Sequence, residues 1–174
     1  MDAERAGVRA LYAPARHDAP NNQTRPTVVF ALAFVAAMGL DELAPMPASE
    51  VFRRTVPWAG GAALAGGAIL TTWCLLMFGR LGTGIMPDRP ARRLVTEGPY
   101  AWSRNPMFVG FVLMYLGAAW LIGSLWALAL LPLAITVTTV AVIRREERYM
   151  RQAFGTAYDR YARRVNRWIG RRPV

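Results

Sequence analysis

The sequence contains no lysine, a single cysteine (Cys74) and a single histidine (His17). One cysteine excludes an internal disulfide framework and one histidine excludes a histidine-rich cluster, so we predict no metal site. Acidic residues are few as well, 11 against 21 basic residues that are all arginine, which gives a formal net charge of +10. Yet 54% of the residues are hydrophobic, whereas a disordered chain needs low hydrophobicity. The chain is therefore predicted to fold, and the placement of its arginines must account for the charge.

The hydrophobic residues occur in long uncharged runs. The run 56–79 has 24 residues without a charge, and the run 106–143 has 38. As one helix the second run would be ~57 Å long, about twice the ~30 Å thickness of a bilayer core, so it must contain two spans. The turn dipeptide Gly123-Ser124 divides it. We predict an all-α integral membrane protein with four transmembrane helices, at about 27–45, 57–79, 106–122 and 125–143.

The arginines are distributed unevenly between the segments that connect these spans. Nineteen of the 21 fall in 1–26, 80–105 and 144–174, on one side of a membrane crossed four times, and only Arg53 and Arg54 fall on the other. Arginine-rich loops face the cytoplasm, so both termini are expected there. An arginine-, alanine- and glycine-rich chain is typical of a GC-rich bacterial genome, which indicates a bacterial inner membrane. Topology thus explains the charge, and we expect no nucleic-acid partner.

The first 26 residues are polar and lack the apolar region of a cleaved signal peptide. We expect a disordered cytoplasmic segment at 1–26, followed by one membrane domain at 27–174. The second span carries glycine and alanine at close spacing, which suits close helix packing within the chain or between two copies in a homodimer. Cys74, inside this span, is interpreted as an apolar filler.

The first polar stretch with the residue types of a binding site precedes the third span. Gly98-Pro99 predicts a turn, and Asn105 can cap a helix whose first residue is Pro106. Arg104 lies beside that helix N-terminus, where an anionic group such as a carboxylate would bind. The alternative is a capped membrane helix with Arg104 on a lipid phosphate.

The second polar stretch follows the fourth span. Aromatic and apolar residues recur there at spacings of three and four, which predicts one cytoplasmic amphipathic helix over about 144–169, lying on anionic membrane lipid. Glu146 and Glu147 interrupt this cationic tail at the membrane boundary. They either pair with neighbouring arginines or bind hydroxyls or a cation, and the spacing does not decide between these. Because the last two spans form a hairpin, both polar stretches are expected at the same membrane face.

Taken together, the two stretches resemble the isoprenylcysteine carboxyl methyltransferase family, and the related phosphatidylethanolamine N-methyltransferases have a similar layout. The resemblance rests on Gly98-Pro99-Tyr100, on Arg104-Asn105-Pro106-Met107-Phe108-x-Gly110, and on Glu146-Glu147-x-x-Met150-x-x-x-Phe154-Gly155-x-x-Tyr158-x-x-Tyr161-x-x-x-Val165-x-Arg167. It covers about 94–169. Three positions depart from the usual pattern: Asn105 replaces a histidine, Phe108 a tyrosine and Gly170 a proline.

The resemblance implies a membrane enzyme that uses S-adenosylmethionine, bound from the cytoplasmic side. Arg104 and Asn105 are the implied catalytic residues. The implied cofactor-binding residues are Gly98, Pro99, Tyr100, Arg104, Asn105, Pro106, Glu146, Glu147, Tyr158 and Tyr161, and Arg167 is an implied contact of the C-terminal lid. The methyl acceptor would be lipophilic, or a small thiol, carboxylate or amine. Two rival functions stay open: a membrane scaffold without enzymatic activity, and an NADPH-dependent reductase of the steroid-reductase type.

Overall fold

The computed structural model of the protein describes residues 26–46, 57–81 and 93–173. The predicted disordered segment 1–26 lies outside the described residues except for Pro26. Within the described ranges the helices are the main regular structure, and Val165 and Arg171 form an isolated antiparallel bridge. The prediction of an all-α chain is confirmed for this part of the protein.

The described residues form six α-helices, which are in chain order α1 (Pro26–Leu43), α2 (Pro57–Leu81), α3 (Pro106–Ile122), α4 (Leu125–Thr138), α5 (Arg144–Phe154) and α6 (Thr156–Arg164). A 3₁₀ turn at Gly98–Ala101 precedes α3, and a π-helical segment, Thr139–Ile143, joins α4 to α5 without a break. Proline is the first residue of α1, α2 and α3, where its missing N–H and fixed φ are compatible with a helix start. Ser124 caps α4, since its hydroxyl accepts from the amide of Ala127 at 3.0 Å.

Three of these helices are long and apolar enough to cross a membrane, namely α1, α2 and the continuous helix Leu125–Phe154. The fourth predicted span, α3, is apolar and 17 residues long. The helix Leu125–Phe154 is longer than a bilayer core requires, and its charge-free part, 125–143, is ~28 Å long at 1.5 Å per residue. The residues from Arg144 onward carry six charges within α5 and lie beyond this membrane-crossing part.

The chain divides into two compact units. The apolar unit consists of 26–46, 57–71 and 107–142 among the described residues, and the site unit consists of 72–81, 93–106 and 143–173. In the apolar unit α1 packs along α4, around a core that includes Phe30, Ala37, Leu131 and Ala134. Tyr115 of α3 joins this core, with its ring edge-on to Phe34 at a centroid distance of 5.3 Å.

Glycines bring α2 and α3 into close contact within the apolar unit. A Cβ atom at Gly117 would collide with the amide nitrogen of Leu64 and lie 2.6 Å from the carbonyl oxygen of Gly60. A Cβ atom at Gly67 would lie 2.8 Å from the amide nitrogen of Met114. The predicted use of small residues for packing within the chain is therefore present. Gly61 and Gly66, by contrast, have nothing within 4 Å.

The variant Gly117→Ala is expected to lower the free energy of unfolding by at least about 1–3 kcal/mol, because backbone atoms of α2 leave no room for a methyl group. Gly66→Ala is the matched control, since it adds the same methyl group to open space and alanine favours a helix over glycine. Thermal unfolding in detergent, followed by tryptophan fluorescence, measures both. Equal loss in the two variants would contradict the assignment of the glycine contacts to α2 and α3.

The expectation of a single C-terminal helix over about 144–169 is wrong. The helix is interrupted at Gly155, whose φ of +51° lies in the left-handed region. Helix α6 starts after it and ends at Arg164. Val165 is extended, and the residues after it form a turn in which the amide of Asn166 donates to the carbonyl of Gly170 at 2.9 Å. The spacing of Val165 and Trp168 matched a helix by chance, because both residues lie outside it.

Candidate functional site

The two polar stretches singled out in the sequence belong to the site unit and contact each other. The first forms a loop of residues 98–105, which we call the GP loop. It begins with the 3₁₀ turn Gly98–Ala101 and ends where α3 starts at Pro106. Gly98 has a φ of +56°, and a Cβ atom there would lie 3.1 Å from the sulfur of Met77. Glycine is therefore required at the start of this loop both for conformation and for space.

The second stretch ends in a segment that lies against the GP loop. We call this segment, residues 165–172, the strap. The carbonyl of Asn166 accepts from the amide of Arg104 at 3.0 Å, and the carbonyl of Arg167 accepts from the side-chain amide of Asn105 at 3.1 Å. The amide of Gly170 donates to the carbonyl of Trp102 at 2.8 Å. These bonds along successive residues fix the loop and the strap to each other.

Gly170 explains one departure from the family pattern. Its φ is +104°, in a region that proline cannot adopt because its ring fixes φ near −65°. The turn from Asn166 to Gly170, which returns the chain to Trp102, therefore depends on glycine at this position. The strap of this chain reaches the GP loop by a route that the usual proline would not permit.

A buried ion-pair network lies where α5, the GP loop and the strap meet. The Glu147 carboxylate is buried, and Arg167 binds it with two donors, Nε to Oε1 at 3.0 Å and Nη2 to Oε2 at 2.6 Å. Arg104 Nη1 lies 3.3 Å from Glu147 Oε1. Such a bidentate pair is geometrically specific, and a buried charge requires this kind of compensation. Glu147 therefore joins Arg104 of the loop to Arg167 of the strap.

The two adjacent glutamates have different environments. Glu146 is partly buried, and among the described residues its carboxylate has neither an ion pair nor a hydrogen bond. Burial, and in second place the negative charge of Glu147, raise the pKa of Glu146 from 4.5 to about 7. Near neutral pH both the protonated and the ionised form of Glu146 are therefore populated. A group of this kind is free to meet a cation or a hydroxyl.

Tyr100 extends from the GP loop toward Glu146 and α2. Its ring lies edge-on to Phe78, with centroids 5.4 Å apart, and its hydroxyl lies near the thiol of Cys74. Burial raises the pKa of Tyr100 well above its usual value, and the nearby Cys74, Tyr161 and Glu146 act in the same direction. Tyr100 is therefore a neutral hydrogen-bonding group at any physiological pH. No sequence pattern indicated that Cys74, interpreted as an apolar filler, would lie near a site residue.

Tyr158 and Tyr161 support the site from α6. Both are buried in a core that also contains Leu94, Phe154 and Val165. The Tyr161 hydroxyl donates to the carbonyl of Tyr100 at 2.7 Å and is within 3.3 Å of the carbonyl of Ser103. Burial raises the pKa of Tyr158 to about 12 and raises that of Tyr161 as well. Tyr161 therefore holds the GP loop in place as a neutral donor.

The structure thus brings the predicted site residues together in one unit. It also shows which of them are held by contacts within the protein, which the sequence did not reveal. Glu147, Tyr158 and Tyr161 are occupied by contacts within the protein, whereas Glu146 has no partner in the part of the chain that the structure describes. Arg104 is intermediate: its Nη1 faces Glu147, but its buried Nε has no hydrogen-bond partner in the described part of the chain.

Sequence reasoning missed Ser103, a buried residue whose hydroxyl accepts from the amide of Asn105 at 3.0 Å. Its small polar side chain at a loop end was the available signal.

The arrangement suits a ligand with charges of both signs. Arg104 Nε offers a buried donor for an anionic group, and Glu146 offers an acceptor for a cationic or hydroxyl group. Among the described residues no group of three or more histidine, cysteine or acidic side chains could hold a metal ion. The site unit thus contains both a buried donor without a partner among the described residues, Arg104 Nε, and an acceptor, the Glu146 carboxyl group.

Comparison with known proteins adds a family assignment. The family model described as phospholipid methyltransferase matches residues 55–157. A cobalt-zinc-cadmium resistance protein of Cupriavidus metallidurans is 37% identical over 93 residues, 53% of this chain and 39% of the relative. A protein-S-isoprenylcysteine O-methyltransferase of Schizosaccharomyces pombe is 36% identical over 72 residues, 41% of this chain and 30% of the relative.

A nickel-cobalt-cadmium resistance protein of Alcaligenes xylosoxydans xylosoxydans is 32% identical over 109 residues, 62% of this chain and 50% of the relative. The chain thus spans between 30% and 50% of the length of these curated relatives. No solved structure matches the chain significantly. The matched region of the family model includes the GP loop, α3, α4 and α5.

Proposed function

This chain belongs to the phospholipid methyltransferase family, and from this premise we propose that it is an integral membrane enzyme that transfers the methyl group of S-adenosylmethionine to a lipophilic or small-molecule acceptor. Members of such families generally use this cofactor. The observation that carries the proposal is that Arg104 Nε and the Glu146 carboxyl group lie in the same unit and that neither has a hydrogen-bond partner among the described residues. One is a donor for an anion and the other an acceptor for a cation.

The residues present fit the proposed cofactor. Its amino-acid end carries a carboxylate and an ammonium group, which correspond to the buried donor of Arg104 and the acceptor of Glu146. Its ribose offers hydroxyl donors, and its adenine offers an aromatic face for a tyrosine of the GP loop. Tyr100 is placed near Glu146 for this contact. Asn105 is less available, because its side-chain amide is bonded to the strap.

Bound here, the cofactor would supply an activated methyl group on a sulfonium centre. The protein's own contribution is positioning and exclusion of water, since methyl transfer is an in-line displacement. Tyr161 and the strap hold the GP loop, Glu147 holds Arg104, and Arg104 and Glu146 orient the ligand. A carboxylate or thiolate acceptor needs no general base.

We also propose the orientation and the membrane that the arginine distribution predicts. Both termini and the site unit would face the cytoplasm of a bacterial cell, with α3 as a fourth span. The acceptor would reach the site from the lipid phase. The homodimer remains a proposal as well, although the closest glycine contacts of α2 are made within the chain.

Isothermal titration of the detergent-purified protein with S-adenosylmethionine and with NADPH tests the proposal. We expect binding of the first ligand alone, and Glu146→Gln should weaken it about tenfold or more, because a charged hydrogen bond contributes about 1.5–3 kcal/mol. Gln152→Ala, an exposed change on the same helix, is the matched control. Binding of NADPH alone would favour the reductase, and binding of neither would favour the scaffold.

The stability of the wild type relative to Glu146→Gln is expected to fall as the pH rises from about 4.5 to about 7. The folded protein raises the pKa of Glu146, so the unfolded chain ionises first and gains free energy over that interval. The loss is on the order of 2–3 kcal/mol and is complete above the folded pKa. Thermal unfolding of both proteins between pH 4 and pH 8 measures the difference. A constant difference across this range would contradict the raised pKa.

A further inference from the structure

An exposed apolar and cationic surface lies on the outside of the contact between GP loop and strap. It consists of Trp102, Ile169, Arg171 and Arg172, and we call it the Trp102 surface. Trp102 is 63% exposed and Ile169 is 69% exposed. In the described part of the site unit, the other large exposed hydrophobic residues are Trp73, Leu75 and Leu76 of α2, a helix apolar enough to cross a membrane. Trp102 and Ile169 therefore need a different explanation.

The Trp102 surface is rigidly built. The Trp102 amide donates to the carbonyl of Pro99 at 3.1 Å, and its carbonyl accepts from Gly170 at 2.8 Å. Arg171 Nε donates to the carbonyl of Ala101 at 2.8 Å, and the Arg171 guanidinium lies over the Trp102 ring, 5.3 Å from its centroid. The indole and the guanidinium are thus held outward together by backbone bonds, and binding costs little further ordering.

The charge of this surface has no acidic counterpart in the part of the chain that the structure describes. Among the described residues, neither Arg171 nor Arg172 forms an ion pair with an acidic side chain. Arg172 is fixed by its amide, which donates to the carbonyl of Arg164 at 2.9 Å, and by its Nε, which donates to Asn166 Oδ1 at 2.9 Å. Two fixed, unneutralised guanidinium groups therefore flank an exposed indole and an exposed isoleucine side chain.

These features identify the chemistry of the partner. The guanidinium groups require an anion, and the neighbouring indole and isoleucine require an apolar group attached to it. Trp102 lies four residues before the first residue of α3, at most about 14 Å along the chain. Tryptophan is enriched at the depth of lipid headgroups, and arginine near an anionic leaflet is stabilised there. We propose that the Trp102 surface binds the headgroup and glycerol region of an anionic phospholipid of the surrounding bilayer.

This site is separate from the proposed cofactor site and does not depend on the enzymatic proposal. The backbone of Trp102 belongs to the GP loop, while its side chain belongs to the surface. A bound lipid would therefore fix the loop and the strap at their outer side. The inference concerns how the site unit is anchored to its membrane, not what it methylates.

Fluorine NMR of the full chain labelled with 5-fluorotryptophan, in a neutral maltoside detergent, tests this inference. The Trp102 resonance is assigned by its loss in Trp102→Phe. Short-chain phosphatidylglycerol is expected to shift that resonance saturably, while phosphatidylcholine of the same chain length and glycerol 3-phosphate are not. Arg172→Ala should weaken the apparent affinity about fivefold, the contribution of one arginine at an anionic surface. Ile169→Asp should weaken it further.

Arg148→Ala and Gln152→Asp are the matched controls, since they change exposed positions on α5 and should leave the affinity unchanged. Ile169→Asp alters an exposed side chain, so it tests the site even if Arg172→Ala loosens the strap. Equal shifts with phosphatidylcholine or with glycerol 3-phosphate would overturn the proposal. So would a Trp102 resonance that does not respond to phosphatidylglycerol, or one that moves with protein concentration before lipid is added, which would indicate a second copy of the chain as the occupant.

Discussion

Replacing Glu147 by alanine is expected to lower the free energy of unfolding by about 3–5 kcal/mol, a drop in melting temperature of roughly 10 °C. Glu147 neutralises Arg104 and Arg167, and the side chain of Arg104 is only 10% exposed. Without the carboxylate the Arg104 charge would be buried and uncompensated, which is the costly way to break a buried pair. Thermal unfolding in detergent measures the loss, and titration should show that S-adenosylmethionine no longer binds.

The adjacent residue supplies the control. Glu146→Ala removes the same carboxylate one position earlier on the same helix, but this carboxylate has no ion pair among the described residues. It should therefore leave the melting temperature at neutral pH unchanged or slightly higher, because an acid held partly buried and unpaired is removed. Cofactor affinity should fall while folding is preserved. If the two alanine variants behave alike in stability, the division of roles between the glutamates is wrong.

The sequence predicted the helices of this chain well, because their physical causes are local. The observed α2 and α3 begin at Pro57 and Pro106, where the uncharged runs begin. A run of apolar residues has few alternatives to a helix in a membrane, since every backbone polar group must be bonded within the segment. The 3₁₀ turn at Gly98–Ala101 follows in the same way from Gly98 and Pro99.

The prediction failed where the structure depends on long-range contacts. The helical spacing continued through Val165 to Trp168, but the chain leaves the helix after Arg164 because the strap hydrogen-bonds to the GP loop more than 60 residues earlier. Local spacing cannot report such a bond. The choice between Glu146 and Glu147 was undecidable for the same reason, since it depends on where Arg104 and Arg167 lie in space.

The candidate site was predictable as a set of residues but not as a set of roles. Arg104 was expected to hold an anionic ligand, and its Nη1 instead faces Glu147, which leaves Nε for that purpose. Asn105 was expected to cap α3 and to act in catalysis, whereas its side-chain nitrogen bonds to Arg167 of the strap. A histidine at this position could donate one ring N–H to the strap in place of the amide. Asn105 therefore fits a role in attaching the GP loop to the strap.

Removing residues 166–174 should test the strap as a whole, that is, its main-chain bonds to the GP loop together with the ion pair of Arg167 with Glu147. The truncated chain keeps Val165 in its core and Tyr161 on the GP loop. It loses the acceptors of the Arg104 amide and the Asn105 side chain, and the donor to Trp102. Each residue that regains backbone freedom adds about 1–2 kcal/mol that ligand binding must then supply. With two such residues in the GP loop, the affinity for S-adenosylmethionine is expected to fall about 100-fold.

A chain lacking only residues 173 and 174 is the matched control, because the hydrogen bonds of the strap end at Arg172. It should bind the cofactor as the full chain does. A synthetic peptide of residues 165–174 should restore part of the affinity of the truncated protein, since the strap acts through main-chain bonds and through Arg167. The same peptide with Arg167→Ala should restore less. Unchanged affinity in the truncated protein would contradict this role of the strap. It would show that the hydrogen bond from Tyr161 is enough to keep the GP loop in its conformation.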